Sequence, residues 1–211
     1  MACAICATRR PRRFCPGVHG DICSICCGTG REVTVNCPLD CEYLQDARRH
    51  EKPVPLDEAQ VPNRDIKITD SFLRANEDLL VFLGRSVATA AFQTPGAVDL
   101  DVREALDGLV RTYRTLQSGV YYESRPQNPL AAGIFGAIQE GLAEFRGRET
   151  ERLGMLKTRD SDVLGALVFL QRVELDRNNG RARGRAFLDA LRGFYPPEEG
   201  AAPPASSLIL P

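Results

Sequence analysis

Only two histidines occur in this chain, His19 and His50, and no cysteine follows Cys41. The stretch 51–211 therefore offers neither an imidazole for general base work nor a thiol nucleophile. A P-loop, a G-x-G-x-x-G turn, a G-x-S-x-G elbow and an H-E-x-x-H pair are also missing. Their absence removes the common signatures of nucleotide enzymes, hydrolases and zinc proteases. No apolar run approaches the ~20 residues of a membrane span. The longest, Leu130 to Ile138, is nine residues with two glycines. Neither sign of charge dominates: 27 basic and 28 acidic residues leave a net charge of -1. That argues against a strongly basic nucleic-acid binder and against an acidic disordered chain. Met1 to Phe14 has no apolar secretion core, and Arg9-Arg10 leads into Pro11-Arg12-Arg13 rather than a hydrophobic stretch. The expectation is a soluble cytoplasmic protein with no membrane contact.

What is present is concentrated. All eight cysteines lie between Cys3 and Cys41. In a reducing compartment such a cluster reads as metal ligands before disulfides. The order is Cys3-x2-Cys6, then Cys15, then Cys23-x2-Cys26 with Cys27 adjoining, then Cys37-x3-Cys41. In a C-x2-C pair the turn aims both thiolates at one ion, and Gly28 suits a tight turn after the second pair. Structural zinc takes four ligands, so eight cysteines suffice for two ions. Iron or an iron–sulfur cluster is the competing use, but paired, turn-rich spacing suits isolated tetrahedral ions better. Residues 1–43 carry few large apolar side chains, and ~40 residues bury too little to fold alone. Zinc binding, at ~10–16 kcal/mol per structural site, would supply the difference.

Local signals divide this segment further. Asn36-Cys37-Pro38 suits a helix start, which would put Cys37 and Cys41 on one face and run to about His50. Pro53 and Pro55 end it. Arg31 to Asn36 alternates polar and β-branched residues and reads as a short strand or hairpin arm.

The cysteine spacing over residues 3–41 resembles the cross-brace zinc fingers of the B-box and HIT types. The resemblance implies that Cys3, Cys6, Cys23 and Cys26 hold one ion. It implies that Cys15, Cys37 and Cys41 supply most of a second site, completed by Cys27 or by His19. A swap of roles between the adjoining Cys26 and Cys27 stays open. The blocks Cys-Cys-Gly-Thr-Gly-Arg-Glu (26–32) and Cys-Pro-Leu-Asp-Cys-Glu-Tyr-Leu (37–44) also look like a bacterial group of zinc-ribbon-like proteins with a helical C-terminal region. That likeness carries no assigned activity.

Beyond the cysteines the pattern is helical. Residues 51–66, with Pro53, Pro55 and Pro62, read as a linker or strap. Thr69, Asp70 and Ser71 offer caps for a helix with Phe72, Leu79, Leu80, Leu83, Val87 and Ala91 on its seam. After Pro95-Gly96, Asp99 or Asp101 caps a second helix, with Val102, Leu106, Leu109, Tyr113, Leu116 and Val120. Asn128-Pro129 opens a third, carrying Leu130, Ile134, Ile138, Leu142 and Phe145. Its Gly133, Gly136 and Gly141 suit either close packing in the core or an oligomer interface. A fourth starts at Asp160 or Ser161 and closes at Asn178-Asn179-Gly180. A fifth carries Phe187, Leu188, Leu191 and Phe194, and Pro196-Pro197 ends it. Residues 196–211 read as a flexible tail. The fold class expected is a small zinc-stabilised N-terminal module (1–50) plus an all-α helical bundle of about five helices (67–195).

No catalytic site follows from these residues. Asp99/Asp101 and Asp160/Asp162 sit where helix starts favour carboxylates and read as caps. The reading is a non-enzymatic binding protein whose zinc module serves a protein partner, with homo-oligomerisation through the bundle as a further option. The alternative is nucleic-acid association through Arg9, Arg10, Arg12 and Arg13, since residues 1–52 hold eight basic and six acidic residues. Arg181, Arg183 and Arg185 form a second patch at a helix start, where cations are unfavourable, which suggests a solvent-facing contact. A thiolate redox or metal sensor is the third option.

Overall fold

The structure is a computed structural model that describes residues 2–52 and 58–196. The middle of the expected linker and the tail from residue 197 lie outside the described residues. The N-terminal module contains an antiparallel hairpin, β1 (Arg13–Cys15) and β2 (Gly20–Ile22), followed by α1 (Ser24–Gly30) and α2 (Glu42–His50). The bundle contains α3 (Asp70–Ala75), α4 (Glu77–Gln93), α5 (Asp99–Gln117), α6 (Pro129–Leu153), α7 (Asp160–Arg177) and α8 (Ala186–Phe194). The chain is thus mainly helical, with a small cysteine-bearing module at its start.

Several expectations are corrected in detail. Residues 70–93 form two helices, because the Asn76 side chain and N–H both turn back to the Phe72 carbonyl and end α3 there. Pro38 does not start a helix; α2 begins after Cys41, so Cys37 lies in the irregular segment that precedes it. Residues 31–36 form a turn with one isolated bridge, Arg31 to Val35, rather than a strand. Gly28 lies inside α1 and not in a tight turn. Val120, past the end of α5, is 60% exposed and leaves the seam. Phe194 is likewise exposed, while Tyr195 packs against Gly84 of α4.

The bundle core joins α4, α5, α6, α7 and α8 through Leu83, Leu106, Leu109, Ile134, Phe135, Ile138, Leu167 and Phe187, all fully buried. Each such side chain contributes about 1.5–3 kcal/mol by leaving water. Helices α5 and α6 run in the same direction. Asn128 donates to Asp101 at their starts, and Arg146 lies over the Tyr113 ring further along. The connection must therefore run back along α5. It is fixed there by the Ser124 N–H on the Thr112 hydroxyl. Gly108 makes room for it, since a Cβ at 108 would stand 2.7 Å from the Ser124 carbonyl oxygen. Helix α7 runs antiparallel to α5, with Arg103 held bidentate by Glu174 at 2.9 and 3.0 Å. Residues 62–66 are strapped over α5 and α7. Arg172 donates to the carbonyls of Pro62, Asn63 and Ile66, and Arg114 donates to Asn63 and Asp65.

The module is stitched to the bundle by polar groups. Gln45 and Arg48 of α2 meet Asp189 of α8, Arg192 donates to the Leu39 carbonyl, and Arg185 donates to the Cys37 carbonyl. At the centre of this contact Glu32 is fully buried.

Candidate metal centre

Cys3, Cys6, Cys23 and Cys26 bring their sulfurs within 4.8 Å of one another. Two turns build this group. In the first, the Ala7 N–H closes on the Cys3 carbonyl at 2.8 Å, with Ala7 in the left-handed region, and the Cys3 N–H reaches the Arg9 carbonyl. In the second, Cys23 is the N-cap of α1 and its sulfur accepts the Cys26 N–H. The Cys23 N–H points at the Cys3 sulfur at 3.3 Å and ties the two turns together. Cys3, Cys23 and Cys26 are buried, and Cys6 is half-buried.

The surroundings of these thiols are uneven. The Thr8 hydroxyl, then the Thr8 and Arg9 N–H groups, bring Cys6 down to about 5. Cys26 is pushed up to about 12 because it shares its proton with Cys23 and is buried beside Cys6 and Cys3. Cys3 is lowered, first by the Cys6 N–H. Four sulfurs in this space release one proton easily and hold another tightly. A divalent cation would displace those protons and balance the thiolates. Four thiolates converging from two turns match the donor set of a structural zinc ion and form a zinc-ribbon-like knot. The Arg9 guanidinium lies against Cys23 and faces the charge of the group.

The other four cysteines line one cavity, together with Ile22 and Leu44. Strand β1 delivers Cys15, α1 delivers Cys27, the irregular segment before α2 delivers Cys37, and Cys41 is the N-cap of α2. Consecutive residues on a helix point about 100° apart, so α1 sends Cys26 to one group and Cys27 to the other. The Arg13 guanidinium lies 3.9 Å from the Tyr43 ring centroid and 3.9 Å from the Cys27 sulfur. Burial pushes the Cys37 thiol up. Among the described residues only the first group draws all its ligand atoms within 4.8 Å, so this second set is the more open one. His19 is exposed in the β-hairpin turn, with a φ of 53°, and does not line the cavity.

Sequence reasoning did not find the companions of these cysteines. Thr8 and Tyr43 carry no signal beyond nearness to a cysteine, and Arg9 and Arg13 read as part of a basic loop rather than as neighbours of the sulfurs. The position of the second arginine patch at a helix start suggests a solvent-facing contact, but two of its members turn inward. Arg181 reaches Glu32 at 3.4 Å and Glu51 at 2.6 Å, and Arg185 reaches the carbonyls of Ala97 and Cys37. The carboxylates at helix starts have structural partners. Asp101 accepts the Val98 N–H, Asp162 the Arg159 N–H, and Asp160 pairs with Arg146. Asp99 serves a different helix, accepting the N–H groups of Phe187 and Leu188 at the start of α8. Past the end of α5, Tyr121 and Tyr122 are both exposed, and the Tyr121 hydroxyl donates to Glu123. Among the described residues no helix is long and apolar enough to cross a membrane. No family model, no curated protein and no solved structure matches the chain, so the B-box and HIT likeness stands on the cysteine spacing alone.

Proposed function

We propose that this chain is a non-enzymatic zinc-binding protein whose N-terminal module holds two zinc ions and presents a rigid surface to a protein partner. The observation that carries the reading is the convergence of Cys3, Cys6, Cys23 and Cys26 on one point. The first ion belongs there. The second belongs among Cys15, Cys27, Cys37 and Cys41, which share a cavity and have the Arg13 guanidinium beside them as counter-charge. In this reading zinc does for residues 2–44 what an apolar core does for the bundle. The module's small core supports it: apart from cysteines, the buried apolar side chains there are Ile22, Val35 and Leu44.

The surface would be rigid for a second reason. The module is clamped to the bundle through Glu32, so it does not swing on the linker as an independent finger would. A partner would meet the module in one orientation relative to α2 and α8.

Native mass spectrometry with elemental analysis of the purified full chain tests the metal part. Two zinc ions per chain are expected. Zero or one, or iron in their place, overturns the two-site reading. Cys23→Ser is expected to remove one ion and leave the other.

A further inference from the structure

The loop that carries Glu32 begins and ends at cysteines of the second set. Glu32 stands midway in sequence between Cys27 and Cys37, and both line the second cavity. The loop is compact. The Gly30 carbonyl accepts the N–H groups of Val33, Thr34 and Val35 at 3.1, 3.1 and 2.9 Å. Gly30 and Val35 are buried, so the turn is packed into the module. A turn closed on one carbonyl has little freedom of its own. Where Glu32 is held therefore bears directly on where Cys27 and Cys37 stand.

The bundle grips this same segment at three points. At Glu32, the Arg183 N–H reaches the carbonyl at 2.8 Å and the Arg185 N–H reaches the carboxylate at 2.9 Å. At Cys37, the Arg185 guanidinium donates to the carbonyl at 3.2 Å. At Leu39, between Cys37 and Cys41, the Arg192 guanidinium donates to the carbonyl at 3.3 Å. A hydrogen bond on the backbone of a metal ligand helps to set where its sulfur stands. The first cysteine group has no such tie. Among the described residues, the hydrogen bonds of its two turns stay within the module.

We propose that the Cys27–Cys41 segment is a metal-gated latch, in which zinc among Cys15, Cys27, Cys37 and Cys41 and the docking of Glu32 on the α7–α8 connection each strengthen the other. This names the regulation of the second site proposed above and rests on that reading. An ion that ties Cys27 to Cys37 holds the turn between them, and with it the Glu32 conformation of φ 54° that meets the bundle. A bundle that already holds Glu32 and the Cys37 carbonyl leaves less to be ordered when the ion binds. Two events that fix one segment share its ordering cost, and the coupling is equal in both directions. Loss of the second ion thus loosens the module from the bundle, and loss of the first does not act through this route. Glu32 and Arg185 are positioning residues for the second site.

Amide hydrogen exchange and zinc competition on the full chain test the latch from its two ends. Zinc is counted first. Cys15→Ser removes a ligand that lies on β1, outside the clamped segment, and should leave one ion. In that variant the Arg183 and Arg185 amides, whose acceptor is Glu32, should exchange faster by about fivefold or more, the lower end of coupling between sites. Amides of α6 should keep their rates. Unchanged rates at 183 and 185 overturn the latch and leave the metal reading intact. Equal acceleration in α6 marks general unfolding and also overturns it. From the other end, Glu32→Gln and Arg185→Met should each weaken the second site by a similar factor in equilibrium competition with a chelator. The second site is the binding step that Cys15→Ser lacks, and the other step should not move. Weakening of both steps alike, or of neither, overturns the latch. Fewer than two ions in the unaltered chain, or two in Cys15→Ser, overturns the second-site reading and the latch with it.

Discussion

Glu32 and Arg48 meet at 2.6 Å, with the carboxylate fully buried and the guanidinium 12% exposed. One residue sits in the loop between Cys27 and Cys37, the other on α2. Glu32 also accepts from the Asn179 side chain at 2.7 Å and from the Arg185 N–H at 2.9 Å, and its own carbonyl takes the Arg183 N–H. A carboxylate in the metal module is therefore solvated by the bundle. Glu32 adopts a φ of 54°, a strained value for a side-chain-bearing residue, which these contacts hold in place.

Removing that carboxylate should be costly. Glu32→Ala leaves Arg48 with Asp189 alone and leaves the Asn179 amide and the Arg185 N–H without their acceptor. Breaking a buried pair by deleting one partner costs about 3–5 kcal/mol. Urea unfolding of the zinc-loaded protein should show a loss of that size. A loss under about 1 kcal/mol, the range of surface pairs, would mean that Glu32 does not lock the module to the bundle. Glu32→Gln keeps the shape and some hydrogen bonds and should fall between.

Little of this lock was legible in the sequence. Glu32 stands in a polar loop, and a charged residue there reads as solvent-facing. The visible half was Arg181 and Arg185 at an unfavourable helix start, which makes sense once the buried carboxylate is known. Of the first cysteine group, the two pairs were legible because C-x2-C turns are local signals; that they share one point came only from the cross-brace resemblance. The long helices α4 to α7 were legible because apolar periodicity survives over four or more turns. The β-hairpin was not, since strands of three residues are too short to show alternation. Capping judged from sequence neighbours puts Asp99 on its own helix; its partners lie 88 and 89 residues away.

The ligand set of the proposed second site can be decided by counting. Cys27 lines the cavity with Cys15, Cys37 and Cys41, and His19 does not. Cys27→Ser should lower the zinc count by one or raise the rate at which a chelator takes the second ion. His19→Ala should leave both the count and the rate unchanged. The reverse result would place the imidazole in the site. Arg13→Ala should speed chelator uptake without changing the count, because it removes a positive charge near Cys27 and no ligand.

The glycines of α6 separate into two kinds. Gly141 meets Phe82 and Ser86 at ordinary contact distance, whereas a Cβ at Gly133 or Gly136 would meet nothing within 4 Å. Close packing inside the chain explains only the first. Gly133→Ala and Gly136→Ala should each stabilise the protein by up to about 1 kcal/mol, the helix-propensity difference. Gly165 of α7 should behave oppositely, because a Cβ there would stand 2.5 Å from the Phe72 ring. Gly165→Ala should lower the unfolding midpoint. If Gly133→Ala instead destabilises the protein only at concentrations where it self-associates, that face is an interface between copies.

Asp99 gives the bundle a pH dependence with a definite sign. Burial raises its carboxyl from 3.8 to about 7, and nearby Glu174 and Glu32 add to the effect, against two N–H groups of α8 that favour the anion. The folded protein then holds a proton at pH 5 to 6 that the unfolded chain has released. Stability from this group is full below about pH 4 and is lost as pH rises through about 7. The slope is at most about 1.4 kcal/mol per pH unit. Asp99→Asn cannot titrate and resembles the protonated acid, so its stability should be flatter over that window. Thiolate ligands act in the opposite direction, since acid releases zinc. The informative quantity is therefore the difference between the two proteins, measured by urea unfolding at several pH values in excess zinc. That difference should grow in favour of Asp99→Asn as pH rises from 5 to 8. Parallel profiles would show that Asp99 is ionised throughout and that the α8 N–H groups outweigh its burial.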